Sequence, residues 1–482
     1  MPFPRARRNR FAFFWRFRDF VVESAPVFLP TITPTTPPKK NMELDSSPRA
    51  SALLSSLAAV ALAALLPSAA QAAGFALEEG SARGNVNPAS LMSGAGATEP
   101  GALYFNPAAI TALPGTQVEF GVSCIRPEAE VLAISPYTGE HLVGKARRKV
   151  WTLPSAYVTH QLNDSLWFGF GAFTRYGLGA NFPRTWAGRY GNYKAEILSM
   201  DFAPQLAWRV NDHLSLAAGL SIRYFDIELA QRLDAAGMYG LRSYNDPSPS
   251  PFDVDQNLHG DDVHPALDLG LQWRITDDLT FGAAYHSRIQ FKVRGDATWR
   301  KPPAVAAMAP GAFNDTPFTA RNWNPDKFMA GLTWQATERL ALSGGLTFTT
   351  WHLYDDLLIK LEDEMLPGRG ELASVKEWHD AWRVSLGGDY ALDEHWTARA
   401  GYTWDQSPIN GVHADYLVPG DNRSIFALGL GWSGEDWAFE GSYFYEYVED
   451  YRVHARVRNG VYDGRYQNAD GHCFAFSATR RF

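Results

Sequence analysis

The sequence predicts an all-β fold: a 14-stranded antiparallel transmembrane β-barrel with an N-terminal hatch, or plug, inside the lumen. Three observations carry this expectation. An export signal precedes the mature chain, short polar turns alternate strictly with long polar connections, and the last strand ends on an aromatic residue.

The first element is a leader. Residues 51–66 read SALLSSLAAVALAALL, an apolar run of small residues too short to span a bilayer as a helix. Pro67 ends it, and Ala70-Gln71-Ala72 supplies an A-x-A cleavage pattern, so residues 1–73 are expected to be an N-terminal extension plus signal peptide. The segment before Met42 holds RARRNR and TITPTTPPKK, which cannot build a core, and leaves Met1 and Met42 as alternative starts. Without residues 1–73 the chain keeps 35 Lys/Arg against 48 Asp/Glu, a net charge of −13. Such acidity argues against a nucleic-acid surface.

Next come the strands. Tight turns are expected at Asn163-Asp164, Asn211-Asp212, Asp277-Asp278, Thr337-Glu338, Asp393-Glu394 and Gly434 to Asp436, where Asn, Asp and Gly reverse the backbone readily. Between them lie long polar connections near 127–149, 177–195, 230–262, 294–326, 360–376, 406–422 and 451–469. Six short turns alternating with seven long loops require 14 strands and both termini on the short-turn side. That is the pattern of a barrel in the outer membrane of a Gram-negative bacterium. Trp167, Trp208, Trp273, Trp334, Trp396 and Trp437 near strand ends fit an interfacial girdle.

Parity then assigns faces. In the last strand Phe474, Phe476, Ala478, Arg480 and Phe482 share the lipid face; in the first, Val118, Phe120, Val122 and Cys124 do. Cys473 has the opposite parity and faces the lumen, so no disulfide with Cys124 is expected. Residues 74–115 are neither wall nor linker. They are rich in small residues that let backbones pack closely, as a plug domain requires, and the barrel domain is expected over 116–482. Asn106-Pro107-Ala108 reads as a hinge or an anchor of that plug.

At this point the residues resemble a known family, the outer-membrane long-chain fatty acid and hydrocarbon transporters of the FadL/TodX type. The likeness rests on the start AGF at 73–75, NPA at 106–108 and GLGANFPRTWAGRYG after the third strand. WHDAWRVSLGGDYALDEHWTARAGYTWDQSPI at 378–409 and VPGDNR at 418–423 complete it. The resemblance implies a monomeric barrel, an apolar groove among the extracellular loops and a deeper apolar pocket touching the hatch. It also implies a lateral exit where the third strand kinks inward, and passive uptake of long-chain fatty acids or related hydrophobic compounds. Neutral aromatic or alkane hydrocarbons are the alternative substrates, and a general porin is the further alternative.

On these grounds Gly169 and Gly171 are assigned to the kink, although strand glycines also simply make room for packing. Phe182, Trp186, Phe313 and Phe318 supply apolar loop contacts or interface anchors, and Phe75 reaches the inner pocket. Arg223 faces inward by parity, as a carboxylate partner or as a salt bridge to luminal acids; Asp226 beside it departs from the family pattern. The implied partners are a hydrophobic small molecule, outer-membrane lipid and lipopolysaccharide, and the barrel assembly machinery. No catalytic constellation, metal motif or phosphate loop appears, so no enzyme activity and no cofactor are expected.

Overall fold

The computed structural model describes residues 74–418 and 420–482; the leader and start-site expectations lie outside them. Fourteen wall strands follow in chain order. They are β1 (Thr116–Ile134), β2 (Trp151–Gln161), β3 (Leu166–Phe173), β4 (Lys194–Arg209), β5 (Leu214–Asp234), β6 (Asp253–Arg274) and β7 (Leu279–His286). The second half comprises β8 (Lys327–Gln335), β9 (Leu340–Thr349), β10 (Ala381–Ala391), β11 (Trp396–Asp405), β12 (Arg423–Ser433), β13 (Trp437–Val448) and β14 (Gly464–Arg481). Each pairs antiparallel with the next, and β1 closes the ring against β14 from Gln117↔Arg481 to Ala133↔Gly464.

The short turns fall where the sequence places them, and their chemistry is local. Asn211 Oδ1 accepts from the His213 and Leu214 amides, and Asp393 Oδ1 accepts from those of His395 and Trp396. A side chain thus replaces one rung of the ladder at the reversal. The long connections differ from expectation. β5 and β6 pair without interruption up to Asp234↔Asp253, and Ile289–Arg300, Thr316–Asn324, Asp356–Leu361 and Glu371–Val375 form further strands of the sheet. Outward positions such as Lys292 and Arg294 are charged and exposed, which makes these segments read as polar loops, while Phe291 and Val293 face inward and are fully buried.

Parity holds on both faces. Phe474, Phe476 and Phe482 are exposed on the outside, as are Trp208, Trp273, Trp334, Trp396 and Trp437. Trp167 is a correction: it faces the lumen, donates from Nε1 to the Leu113 carbonyl at 2.8 Å, and lies under the Arg209 guanidinium. It therefore anchors the chain where the hatch meets the wall. Cys124 pairs across from Phe474, Cys473 lies one residue over with its side chain in the lumen, and both thiols are free.

Inside the ring sits the hatch. Helix α1 (Pro88–Ser93) starts at Asn87, whose side chain accepts from the Ser90 amide, and stops at Gly94 in the left-handed region. A short helix α2 (Ala102–Phe105) and a 3-10 turn (Pro107–Ala112) follow, almost wholly buried. Hatch backbone touches wall backbone. A Cβ on Gly401 would stand 1.8 Å from the Val86 carbonyl oxygen, one on Gly282 2.2 Å from that of Met92, and one on Gly331 2.5 Å from that of Ala89. Wall strands β7, β8 and β11 thus present glycine to the hatch backbone around α1. Polar contacts complete the seat, with Arg83 on Asp389 at 2.6 Å and Ser93 Oγ 2.7 Å from Thr333 Oγ1.

Candidate functional site: an apolar path from the outer face to the hatch

The path begins under the extracellular loops. A cavity of about 470 Å³ is lined by Leu229, Leu233, Leu258, Leu357, Ile359 and Met365, with Arg232, Arg369, Arg456 and Arg458 beside Asp234, Glu371 and Asp415 at its polar side. Its roof is tied down by Arg189, which donates from Nε to Asp253 at 2.8 Å, and by the Tyr190 hydroxyl, which donates to the other Asp253 oxygen at 2.6 Å. Burial, then the Asp253 carboxylate, push the Tyr190 phenol well above its usual range, so it stays a donor.

Leu233, Leu258, Leu357, Ile359 and Met365 also belong to the apolar cluster that surrounds Phe75, so cavity and inner pocket share a wall. Phe75 sits among four rings, 4.7 Å from Trp351, 5.4 Å from Tyr354, 5.9 Å from Trp378 and 6.0 Å from Tyr176. Gly74, at φ +66°, turns the chain into this box, and a Cβ there would lie 2.8 Å from both Trp351 and Trp378. Gly74→Val is therefore expected to expel Phe75, read as a changed Trp emission spectrum; an unchanged spectrum and unchanged ligand affinity would show that the box does not depend on this turn.

The strand irregularity lies beside this box. β3 ends with Phe173↔Asp201, and Gly177–Asn181 resumes with Gly177↔Leu198, so three residues face two of β4. On the other side the β2–β3 ladder ends at Ala156↔Ala172. Above it, residues 151–155 of β2 pair only with β1 among the described residues, until the Arg147 amide donates to the Asn181 carbonyl at 2.7 Å. The hatch lends a stub to the break: the Leu77 amide donates to the Arg175 carbonyl, and the Gly177 amide to that of Phe75. Trp151 lies across the opening, where a Cβ on Gly179 would come within 2.3 Å of its ring. Leu77 and Leu153 pack beside it.

Below the box is a buried ionic group. Lys327 Nζ is 2.5 Å from Glu78 Oε1 and 5.8 Å from the Tyr176 ring centre. Arg223 grips Asp201 through two nitrogens at 2.5 and 2.8 Å, and Arg175 Nε approaches the same carboxylate at 3.2 Å.

The structure brings Phe75, Phe313 and Phe318 into one cluster. Phe182 and Trp186 stack at 4.4 Å in a separate cluster with Tyr416 under the loops. Asn106, Pro107 and Ala108 form an anchor: the Asn106 amide donates to the Met92 and Leu271 carbonyls, while its oxygen accepts from the Ala108 amide. Gly169 and Gly171 are corrected, because both pair regularly with β2 and β4. Gly169 leaves room for Leu103 and Ile110 of the hatch, Gly171 for the Phe173 and Tyr157 rings, and the break falls at 174–176. Arg223 takes its salt-bridge role. Asp226 points outward and pairs with His259 at 2.8 Å, which removes it from the lumen. Sequence reasoning missed Lys327, Glu78, Trp151 and the Trp351–Tyr354–Trp378 group; the dense aromatics in TTWHLYDD were the available signal.

The family model described as outer membrane protein transport protein (OMPP1/FadL/TodX) matches residues 63–482. Among curated relatives, the long-chain fatty acid transport protein of Escherichia coli O6:H1 is 24% identical over 386 residues, covering 76% of this chain and 85% of its own length. The 47 kDa outer membrane protein of Pasteurella multocida is 25% identical over 374 residues, with the same two shares. In structure, a Pseudomonas aeruginosa FadL homologue superposes with a TM-score of 0.74 at 24% identity, over 85% of this chain and 99% of that one. The Pseudomonas putida toluene transporter TodX gives 0.60 at 18% identity, over 80% and 94%. With the family model spanning the whole wall and hatch, the chain belongs to the OMPP1/FadL/TodX family of outer-membrane transport proteins, passive and non-enzymatic carriers of hydrophobic compounds.

Proposed function

We propose that this barrel takes up long-chain fatty acids by binding, hatch movement and lateral exit. The observation that carries the reading is Lys327: a buried ammonium beside the Phe75 box whose carboxylate partner, Glu78, belongs to the hatch itself. A fatty acid enters the loop cavity, its carboxylate drawn by the arginines and its chain by the leucines. Deeper in, the chain displaces Phe75 and the carboxylate exchanges for Glu78 on Lys327. Losing both contacts frees the stub at 75–77 from residues 175–177 and uncovers the opening behind Trp151. No energy input is required, because binding only exchanges one set of contacts for another and consumption inside maintains the gradient.

A second reading has its own support. The box around Phe75 is made of four aromatic rings, which suits a neutral aromatic as well as an acyl chain. Uptake of labelled oleate beside a labelled neutral hydrocarbon, in cells lacking their own transporter, separates the two: oleate uptake supports the proposal, and hydrocarbon uptake alone overturns it. The exit has a separate test. Gly179→Val is expected to push Trp151 into the opening and cut uptake severalfold while leaving oleate binding to purified protein unchanged. Uptake at the wild-type rate, at equal surface amount, would move the exit elsewhere. The same proposal takes residues 74–115 as hatch and 116–482 as barrel, a monomer delivered by the barrel assembly machinery into lipid and lipopolysaccharide.

A further inference from the structure

Several exposed cations on the extracellular half are neutralised locally. Arg126 and Arg148 both hold Glu128 at 2.8 Å, Lys145 holds Glu130 at 2.9 Å, and Arg452 holds Asp463 at 3.3 Å. One patch gathers cations without ion pairs on a single face of the sheet. On the strands Ile289–Arg300 and Thr316–Asn324, Lys292 lies directly opposite Arg321, and Arg294 follows two residues along the same face. The residues between them, Phe291, Val293 and Ala320, are buried in the lumen cluster, so the three cations point outward, and all are exposed. Among the described residues none of the three has a carboxylate oxygen within 4.0 Å. Asp261 stands opposite Arg294, and Asp296 comes two residues after it, yet neither forms an ion pair with it. Arg288, half-exposed, adds a fourth charge and reaches Asp326 only at 3.7 Å.

Like charges directly opposite on one face of a sheet repel, so the fold alone does not favour Lys292 facing Arg321. The height of the patch says what offsets this. Tyr285 and Phe328, whose rings are 5.0 Å apart, and Val263 end the apolar outer face on β7, β8 and β6. The Lys292 amide donates to Asp262, the neighbour of Val263, and the Arg288 amide donates to Asp326, which also accepts from the Tyr285 hydroxyl. The cations therefore form the first row above the apolar band, facing sideways into the headgroup layer.

We infer that Arg288, Lys292, Arg294 and Arg321 form a binding surface for the phosphate groups of the outer leaflet's glycolipid, lipopolysaccharide. Several fixed cations at headgroup height match a phosphorylated glucosamine backbone, and arginine offers it paired donors. This rests on the outer-membrane placement of the barrel and deepens the lipid partner in the proposal above, but it does not involve the lumen.

The test uses full-length protein in detergent and native mass spectrometry with bisphosphorylated lipid A or its dephosphorylated form as probe. Wild type is expected to retain the bisphosphorylated form at least tenfold better. Lys292→Gln/Arg321→Gln should lose that preference, whereas Arg452→Gln, at a paired cation elsewhere, should keep it. Heat-modifiable migration on gels verifies that each variant is folded. Equal retention of both probes by wild type, or an undiminished preference in the double variant, overturns the inference. So does release by a chelator, which would assign the contact to a divalent ion on neighbouring carboxylates. Oleate uptake by the double variant should equal that of wild type. Loss of lipid A preference with uptake intact supports the surface alone, and absence of oleate uptake in wild type overturns only the transport reading.

Discussion

Gly401→Val is expected to open the barrel to ions. The added side chain would begin 1.8 Å from the Val86 carbonyl, and a backbone atom has no rotamer through which to withdraw. Either the wall bends or the hatch leaves its seat, and overpacking of this kind costs ~1–3 kcal/mol or more. The hatch is the weaker party, because the wall is held by unbroken ladders on both sides of β11. A 14-stranded lumen without its plug passes water and salt, so steady current in planar bilayers should rise roughly tenfold over wild type. Gly344→Val is the control, since its Cβ would meet only Leu386 at 3.6 Å. Wild-type current from a folded Gly401→Val barrel would mean that the hatch does not depend on this contact.

The second large effect is a pair of opposite signs. Lys327→Met should weaken oleate binding ~10–100-fold, the loss of one charge-assisted hydrogen bond worth ~1.5–3 kcal/mol, and leave a neutral hydrocarbon unaffected. Glu78→Gln should strengthen oleate binding, because it removes the carboxylate that already occupies Lys327 at 2.5 Å. The single lysine variant also strands a buried Glu78, which costs about 3–5 kcal/mol of hatch docking if the carboxylate stays charged. The double variant Lys327→Met/Glu78→Gln removes that complication and should still bind oleate weakly. Titration of purified protein with a fluorescent fatty acid measures all three. Equal affinities would assign the carboxylate to another cation.

The wall was largely legible because lipid imposes a period of two on it and the turns carry their own chemistry. Where that constraint lapses, alternation no longer separates strand from loop. Above the membrane the outward residues turn charged, so real strands such as Ile289–Arg300 looked like loops, although Phe291 and Val293 still marked an inner face. Trp167 departs from the girdle because an aromatic near a strand end has two faces open to it, and its indole bonds a carbonyl in the hatch. The site was harder. Phe75 and Arg223 were named from position and parity, but whether Arg223 is free depends on Asp201 in another strand, which no local pattern reveals. The break in β3 was expected at glycines, whereas it is held open by Ser199, which bonds both the amide and the carbonyl of Tyr176.

Glycines that seat the hatch come from β7, β8 and β11, in the second half of the chain, while the hatch is at its beginning and the closing seam joins β1 to β14, near its two ends. A chain made from the N-terminus therefore carries the hatch before any seat for it exists, and completes the ring last. The hatch is thus a cross-link between the start of the chain and wall strands far along it.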